Sequence, residues 1–216
     1  MSADRVTVGV VIDLPEPHAS VIDQWRKRSG DSQAGSIAPH VTLIPPTKVP
    51  AGGLDEVVTH LASVAARTSS FTLNLAGTDS FRPVSQVAFV RVAGGAQHCA
   101  ELESGLRRGL LDRPRDYPFR PHVTVAHDVD DEALDDVCDG LSDFVARFSV
   151  DRFSLYLRRE QPRMESSRAG SSHTHYVRAD GGPTDGPQSG YRETEQSSQP
   201  AVGWAFERYF DFGSGR

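Results

Sequence analysis

The tetrapeptide Pro-His-Val-Thr occurs twice, at Pro39–Thr42 and again at Pro121–Thr124. Each copy opens an apolar run, PHVTLIPP in the first and PHVTVAHD in the second, and the histidines lie 122 − 40 = 82 residues apart. On an extended strand, residues i and i+2 project to the same side, about 6.6 Å apart. His40 and Thr42 therefore share one face, with Val41 and Leu43 on the other. His122 and Thr124 stand in the same relation to Val123 and Val125. A third His-x-Ser/Thr, His18-Ala19-Ser20, follows Pro-Glu-Pro and fits no strand.

The chain around the two copies has a matching organisation. Val6, Val8, Val10 and Ile12 alternate through Arg5–Asp13 as a first strand, and Ala19–Arg28 forms a weakly marked helix. The first motif strand stops at Pro45-Pro46. Leu54, Val57, Val58, Leu61, Val64 and Ala65 then trace a helical stripe with increments 3, 1, 3, 3, 1. The same increments recur after the second motif at Leu134, Val137, Cys138, Leu141, Phe144 and Val145. Each helix is followed by a strand, Phe71–Leu75 in the first case and Phe148–Leu157 in the second. Val87–Val92 reads as a strand, and Cys99, Leu102, Leu106 and Leu110 line a further helix. The result is a weak internal repeat and predicts two similar α+β lobes of antiparallel sheet with outer helices.

Between Pro162 and Pro200 the composition turns to Ser, Gly, Arg, Glu, Gln and Pro. Ala201–Phe212 resumes strand-like alternation, with Val202, Trp204, Phe206, Phe210 and Phe212 on one face. That final strand pairs with Phe148–Leu157. Residues 1–161 and 201–212 thus form the folded domain, and 162–200 is a flexible polar insertion.

Other features bound the function. The formal charge of −6 argues against coating long duplex nucleic acid by counterion release, while leaving room for one or two phosphates. No run approaches a membrane span, and nothing before Val6 resembles a signal peptide, so a cytoplasmic protein without a membrane partner is expected. Cys99 and Cys138, the only cysteines, fall on apolar helix positions and read as reduced thiols. The acidic residues after the second motif, among them Asp131, Asp135 and Asp136, read as a solvated helix face. Helix-end solvation also accounts for Arg107, Arg108, Arg113 and Arg115, and Gly94-Gly95 for a turn.

Two imidazoles and two hydroxyls presented by rigid strands suit attack at phosphorus. In-line displacement needs a base for the entering oxygen and an acid for the departing one. Histidine serves in either state near neutral pH. Threonine hydroxyls can donate to the non-bridging oxygens as charge develops there. No HExxH or paired CxxC motif points to a metal. Arg82, Tyr117 and Arg120 are candidate substrate contacts, for a second phosphate or a base.

On these motifs the chain resembles the 2H phosphoesterase superfamily, named for two His-x-Ser/Thr motifs, in its bacterial 2′-5′ RNA ligase-like branch. The segments SFRPVSQVAFVRV (Ser80–Val92) and YPFRPHVTVAH (Tyr117–His127) carry further likeness. The resemblance covers Arg5 to about Arg159 and resumes at the last strand. It implies two antiparallel-sheet lobes around a cleft, with His40 and His122 as acid–base pair and Thr42 and Thr124 as phosphate donors. It further implies metal-independent, cofactor-free action by a monomer on a nucleotide or RNA end bearing a 2′,3′-cyclic phosphate, or on a 2′-5′ linkage. Relatives often have tryptophan where Phe89 stands, which makes Phe89 another candidate contact. Many carry arginine just after the second motif, where this chain has His127-Asp128. A module that binds phosphorylated RNA ends without turnover is the non-enzymatic alternative.

Overall fold

The structure is a computed structural model that describes residues 4–159 and 204–213. The polar insertion read over residues 162–200 lies outside the described residues. Eight strands and four α-helices follow in chain order: β1 (Arg5–Asp13), α1 (His18–Arg28), β2 (His40–Pro50), α2 (Leu54–Ala65), β3 (Phe71–Ser80), β4 (Val87–Gly94), α3 (Ala96–Leu106), β5 (His122–His127), α4 (Asp131–Gly140), β6 (Val145–Val150), β7 (Arg152–Arg159) and β8 (Ala205–Asp211). Antiparallel pairings join all eight strands into one sheet, in the order β6-β3-β4-β5-β2-β1-β7-β8. The two motif strands are its central neighbours, and they meet at the single pairing Val41 with Val123.

The internal repeat is real but intertwined. The segment β1-α1-β2-α2-β3 corresponds to β4-α3-β5-α4-β7, with β6 an extra edge strand. The strand closing each repeat joins the other half of the sheet: β3 pairs with β4, and β7 with β1. The helices cross over too, α1 packing near β5 and α3 near β2. The exchange of closing strands joins the two halves of the repeat into one sheet over a shared core. That core includes Val8, Val10, Val41, Leu61, Leu73, Val123, Leu134 and Leu155, all almost fully buried.

Local details depart from the periodicity for physical reasons. Strand β2 does not stop at Pro45-Pro46 but runs to Pro50. Its pairing with β1 slips between Val8 and Val10, and such an irregularity accommodates prolines that cannot donate to a ladder. Helix α4 is capped by Asp130, whose carboxylate accepts the Ala133 N–H at 2.8 Å, and it ends at Gly140. The Trp25 ring lies where a Cβ at Gly140 would be, 2.0 Å from the nearest ring atom, so only glycine fits beneath it. The helical stripe read through to Phe144 and Val145 stops at Gly140, and Val145 starts β6 instead, 71% exposed. The single strand expected over Phe148–Leu157 is two, β6 and β7, divided at Asp151. Likewise Leu110 sits in a 3-10 turn (Gly109–Leu111) rather than in α3.

The acidic face of α4 is more than solvated. Asp135 and Asp131 take the Arg82 guanidinium at 2.5 and 3.4 Å, and Asp136 takes Arg28 at 3.0 Å, tying α4 to the β3–β4 loop and to α1. The arginine cluster is also partly paired: Arg115 and Arg107 both approach the buried Glu103, and Arg113 donates to the Lys48 carbonyl. Cys99 and Cys138 are free thiols, and burial pushes Cys99 up to about 12. Among the described residues, no helix is long and apolar enough to cross a membrane.

Candidate active site

The register explains how the motifs converge. Because Val41 and Val123 pair on antiparallel strands, His40 falls opposite Thr124 and Thr42 opposite His122. All four lie on the face away from the valines, with the histidines on one diagonal and the threonines on the other. All four are half-buried, while Val41, Leu43, Val123 and Val125 are buried on the far side.

The proline in each motif also has a structural role. A residue before proline is held extended, and here those residues, Ala38 and Arg120, offer their carbonyls to the imidazole two positions on. The Nδ1 of His40 lies 2.7 Å from the Ala38 oxygen, and the Nδ1 of His122 lies 2.7 Å from the Arg120 oxygen. A carbonyl oxygen only accepts, so each Nδ1 carries the proton. Each neutral imidazole then presents Nε2 as its proton acceptor.

Both imidazoles have pKa values lowered from the ordinary histidine range, mainly by burial. The carbonyl bonds work in the opposite direction. Beyond that the environments differ. Near His40, Arg26 and His122 add to the lowering, while the Asp13 carboxylate opposes it. Near His122, the Arg120 guanidinium adds to the lowering and no carboxylate opposes it. An unfolded histidine titrates near 6.5. The folded chain thus binds fewer protons than the unfolded one just below that value, so stability is full above about pH 6.5 and is lost as pH falls through the folded values. Urea midpoints measured between pH 7.5 and 5 are expected to fall, with a shallower slope in a His40→Gln/His122→Gln double variant.

Each histidine has its own support. His122 packs edge-on to Phe81 at 5.0 Å and against Phe89 at 5.1 Å. Arg120 lies over both rings, 4.9 Å from Phe89 and 5.6 Å from Phe81, and pairs with Asp79 at 2.6 Å. On the other side, Asp13 pairs in register with His40 across β1 and β2. Tyr156 donates its hydroxyl to Asp13 Oδ1 at 3.0 Å, and Ser154 donates to Oδ2. Burial, with Asp13 adding to it, raises the Tyr156 pKa and keeps the phenol a donor. Arg26, itself buried, donates to the carbonyls of Ile37 and Gln33 and so fixes the loop leading into the first motif.

The secondary candidates divide. Arg120 stands beside His122. Phe89 is fully buried and forms the floor under that imidazole, with no surface for a ligand. Arg82 is engaged by the two α4 carboxylates, with a further bond to Ser80. Tyr117 is 68% exposed. Asp13, Tyr156, Ser154 and Phe81 were not among the candidates. Asp13 ends the alternating first strand, and only the long-range pairings of β1 with β2 and β7 show its place. A cavity of about 790 Å³ between α2 and α3, lined in part by His60, Arg67, His98 and Arg108, shares no residue with the quartet. Among the described residues, no three His, Cys, Asp or Glu side chains cluster so as to hold a metal ion.

Comparison with known proteins shows the family and the fold. The family model of the 2′-5′ RNA ligase superfamily matches residues 14–162. A protein of Bacillus cytotoxicus named a candidate phosphoesterase is 32% identical over 155 residues, spanning 71% of this chain and 89% of its own. A counterpart in Bacillus mycoides is 31% identical over the same extent. Among solved structures, E. coli LigT in its apo form superposes with a TM-score of 0.53 at 21% identity, over 74% of this chain and 91% of LigT. Thermus thermophilus TT0787 gives 0.54 at 14% identity, over 97% and 100%. The chain belongs to the 2′-5′ RNA ligase superfamily, the 2H phosphoesterases, and its curled antiparallel sheet is the LigT-like fold.

Proposed function

We propose that the protein hydrolyses 2′,3′-cyclic phosphates, on nucleotides or RNA ends, to 2′-phosphates. The observation that carries this reading is the diagonal pair of imidazoles, each held in the same tautomer by a backbone carbonyl. Water attacks phosphorus while His122 Nε2 takes its proton. The bond from phosphorus to O3′ breaks, and O3′ receives the proton from His40 Nε2. Thr42 and Thr124 donate to the non-bridging oxygens as charge builds on them. Crystal structures of LigT with 3′-AMP and with NADP+ accord with a nucleotide ligand in this fold.

The polarity rests on the carboxylate paired with His40. Asp13 favours an imidazolium there, as an acid requires, acting against Arg26 and His122, while Arg120 favours a neutral His122, as a base requires. Turnover of 2′,3′-cyclic AMP in the presence of EDTA, with the product isomers separated by chromatography, tests the proposal. A 2′-phosphate is expected. A 3′-phosphate would reverse the two roles, and no turnover of either a mononucleotide or an oligonucleotide would sink the reading in favour of a binding module.

The pH profile offers a sharper check. With both histidines lowered, kcat/KM is expected to trace a bell whose maximum lies below pH 6.5. In Asp13→Asn the imidazolium at His40 loses its carboxylate. The alkaline limb should move to lower pH, with a several-fold loss at pH 7, while the acid limb stays in place. Movement of the acid limb instead would assign His40 as the base.

A further inference from the structure

The last strand was expected to place Phe206 on one face with Phe210 and Phe212, and it does not. Phe210 and Phe212 are buried, but Phe206 is 46% exposed and Tyr209 is 51% exposed. The cause is a slip in the pairing of β8 with β7. Ser154 pairs with Tyr209 and Leu155 with Arg208, yet Tyr156 pairs with Phe206, so Glu207 is the extra residue. The irregularity turns Phe206 to the face that carries Tyr209, and the two rings stand 4.5 Å apart.

That face is the one on which the histidines lie. Ser154 and Tyr156, the register partners of Tyr209 and Phe206, both bond Asp13, and Asp13 pairs with His40. The edge of Phe206 meets Tyr156 at 5.8 Å. The Arg152 guanidinium sits over Tyr209 at 5.3 Å, and Arg158 over Trp204 at 5.2 Å. A row of aromatic rings thus leads from the first histidine to the sheet edge, with Arg158 beside it and Arg152 held there by Asp151 at 3.0 Å and Asp211 at 3.4 Å. Exposed rings backed by arginine are what single-stranded nucleic acid stacks upon, because every base has a π-face and every linkage a phosphate. A strand bulge that re-aims a side chain beside a reactive site fits the same purpose.

We propose that Phe206 and Tyr209 form a stacking platform for a base of single-stranded RNA, so that the substrate is an oligonucleotide ending in the reactive phosphate. β8 is three strand spacings from β2, about 14 Å along the sheet. The platform therefore receives a base upstream of the terminal nucleotide. This deepens, and for its link to turnover rests on, the phosphodiesterase reading.

The test has two readouts. The first is the ratio of kcat/KM for an RNA hexamer ending in a 2′,3′-cyclic phosphate to that for 2′,3′-cyclic AMP. The second is equilibrium binding of a fluorescein-labelled hexamer ending in a 2′-phosphate, which needs no turnover. In Phe206→Ala/Tyr209→Ala both are expected to fall at least about tenfold. Phe206→Tyr/Tyr209→Phe should retain both, and Phe206→Leu/Tyr209→Leu should lose them. An unchanged ratio and affinity in the alanine pair would overturn the platform, as would full retention in the leucine pair. A rise in hexamer affinity would show that the patch is covered by another part of the chain or by a second protein, and would also overturn it. If the unaltered protein turns over neither substrate, the phosphodiesterase reading fails by itself, and the binding arm still decides the platform.

Discussion

Replacing either His40 or His122 with alanine is expected to lower turnover of a cyclic phosphate by about a hundredfold or more. The double variant should lose little beyond the worse single one, because acid and base act on one displacement. Circular dichroism and urea midpoints at pH 7.5 would show whether the fold is intact in each variant. Both imidazoles project from the face opposite the buried valines, so no part of the core is removed with them. A variant that stays folded and keeps most of its turnover would remove that histidine from the chemistry.

A second large effect is expected at Phe89. The ring is fully buried, 4.3 Å from Phe81 and 5.1 Å from His122. Truncation to alanine leaves a cavity beneath the imidazole and should cost about 3–5 kcal/mol of stability, measurable by urea denaturation. Phe89→Leu fills most of that volume but removes the aromatic contact with the imidazole. It is expected to keep most of the stability while kcat falls and KM barely moves. A rise in KM alone would return Phe89 to the substrate contacts.

The fold was legible wherever one local rule acted without competition. Val6 to Ile12 alternate as a strand because they line one face of a central strand, and Leu54 to Ala65 follow a helical stripe because α2 packs on one side. The two Pro-His-Val-Thr copies identified the quartet because strand geometry couples His to Thr within each copy. Legibility failed where a tertiary contact decided the outcome. The pattern through Val145 could not register that the chain leaves α4 at Gly140 and turns into the edge strand β6. Alternation in the last strand could not register the extra residue at Glu207. Asp13 illustrates the limit best: its hydroxyl donors are Ser154 and Tyr156, a separation of 141 and 143 residues. No short-range pattern encodes such a contact.

The exchange of closing strands has a consequence for the order in which the chain can become competent. During synthesis the first motif emerges early, but β1 stays an open edge until β7 arrives, and Asp13 has no hydroxyl partners before then. The first repeat cannot mature as an independent unit, since its own last strand completes the neighbour's half. Pairings this distant close late and slowly. Nascent chains halted before Arg152 should therefore lack a finished site even with both histidines already translated.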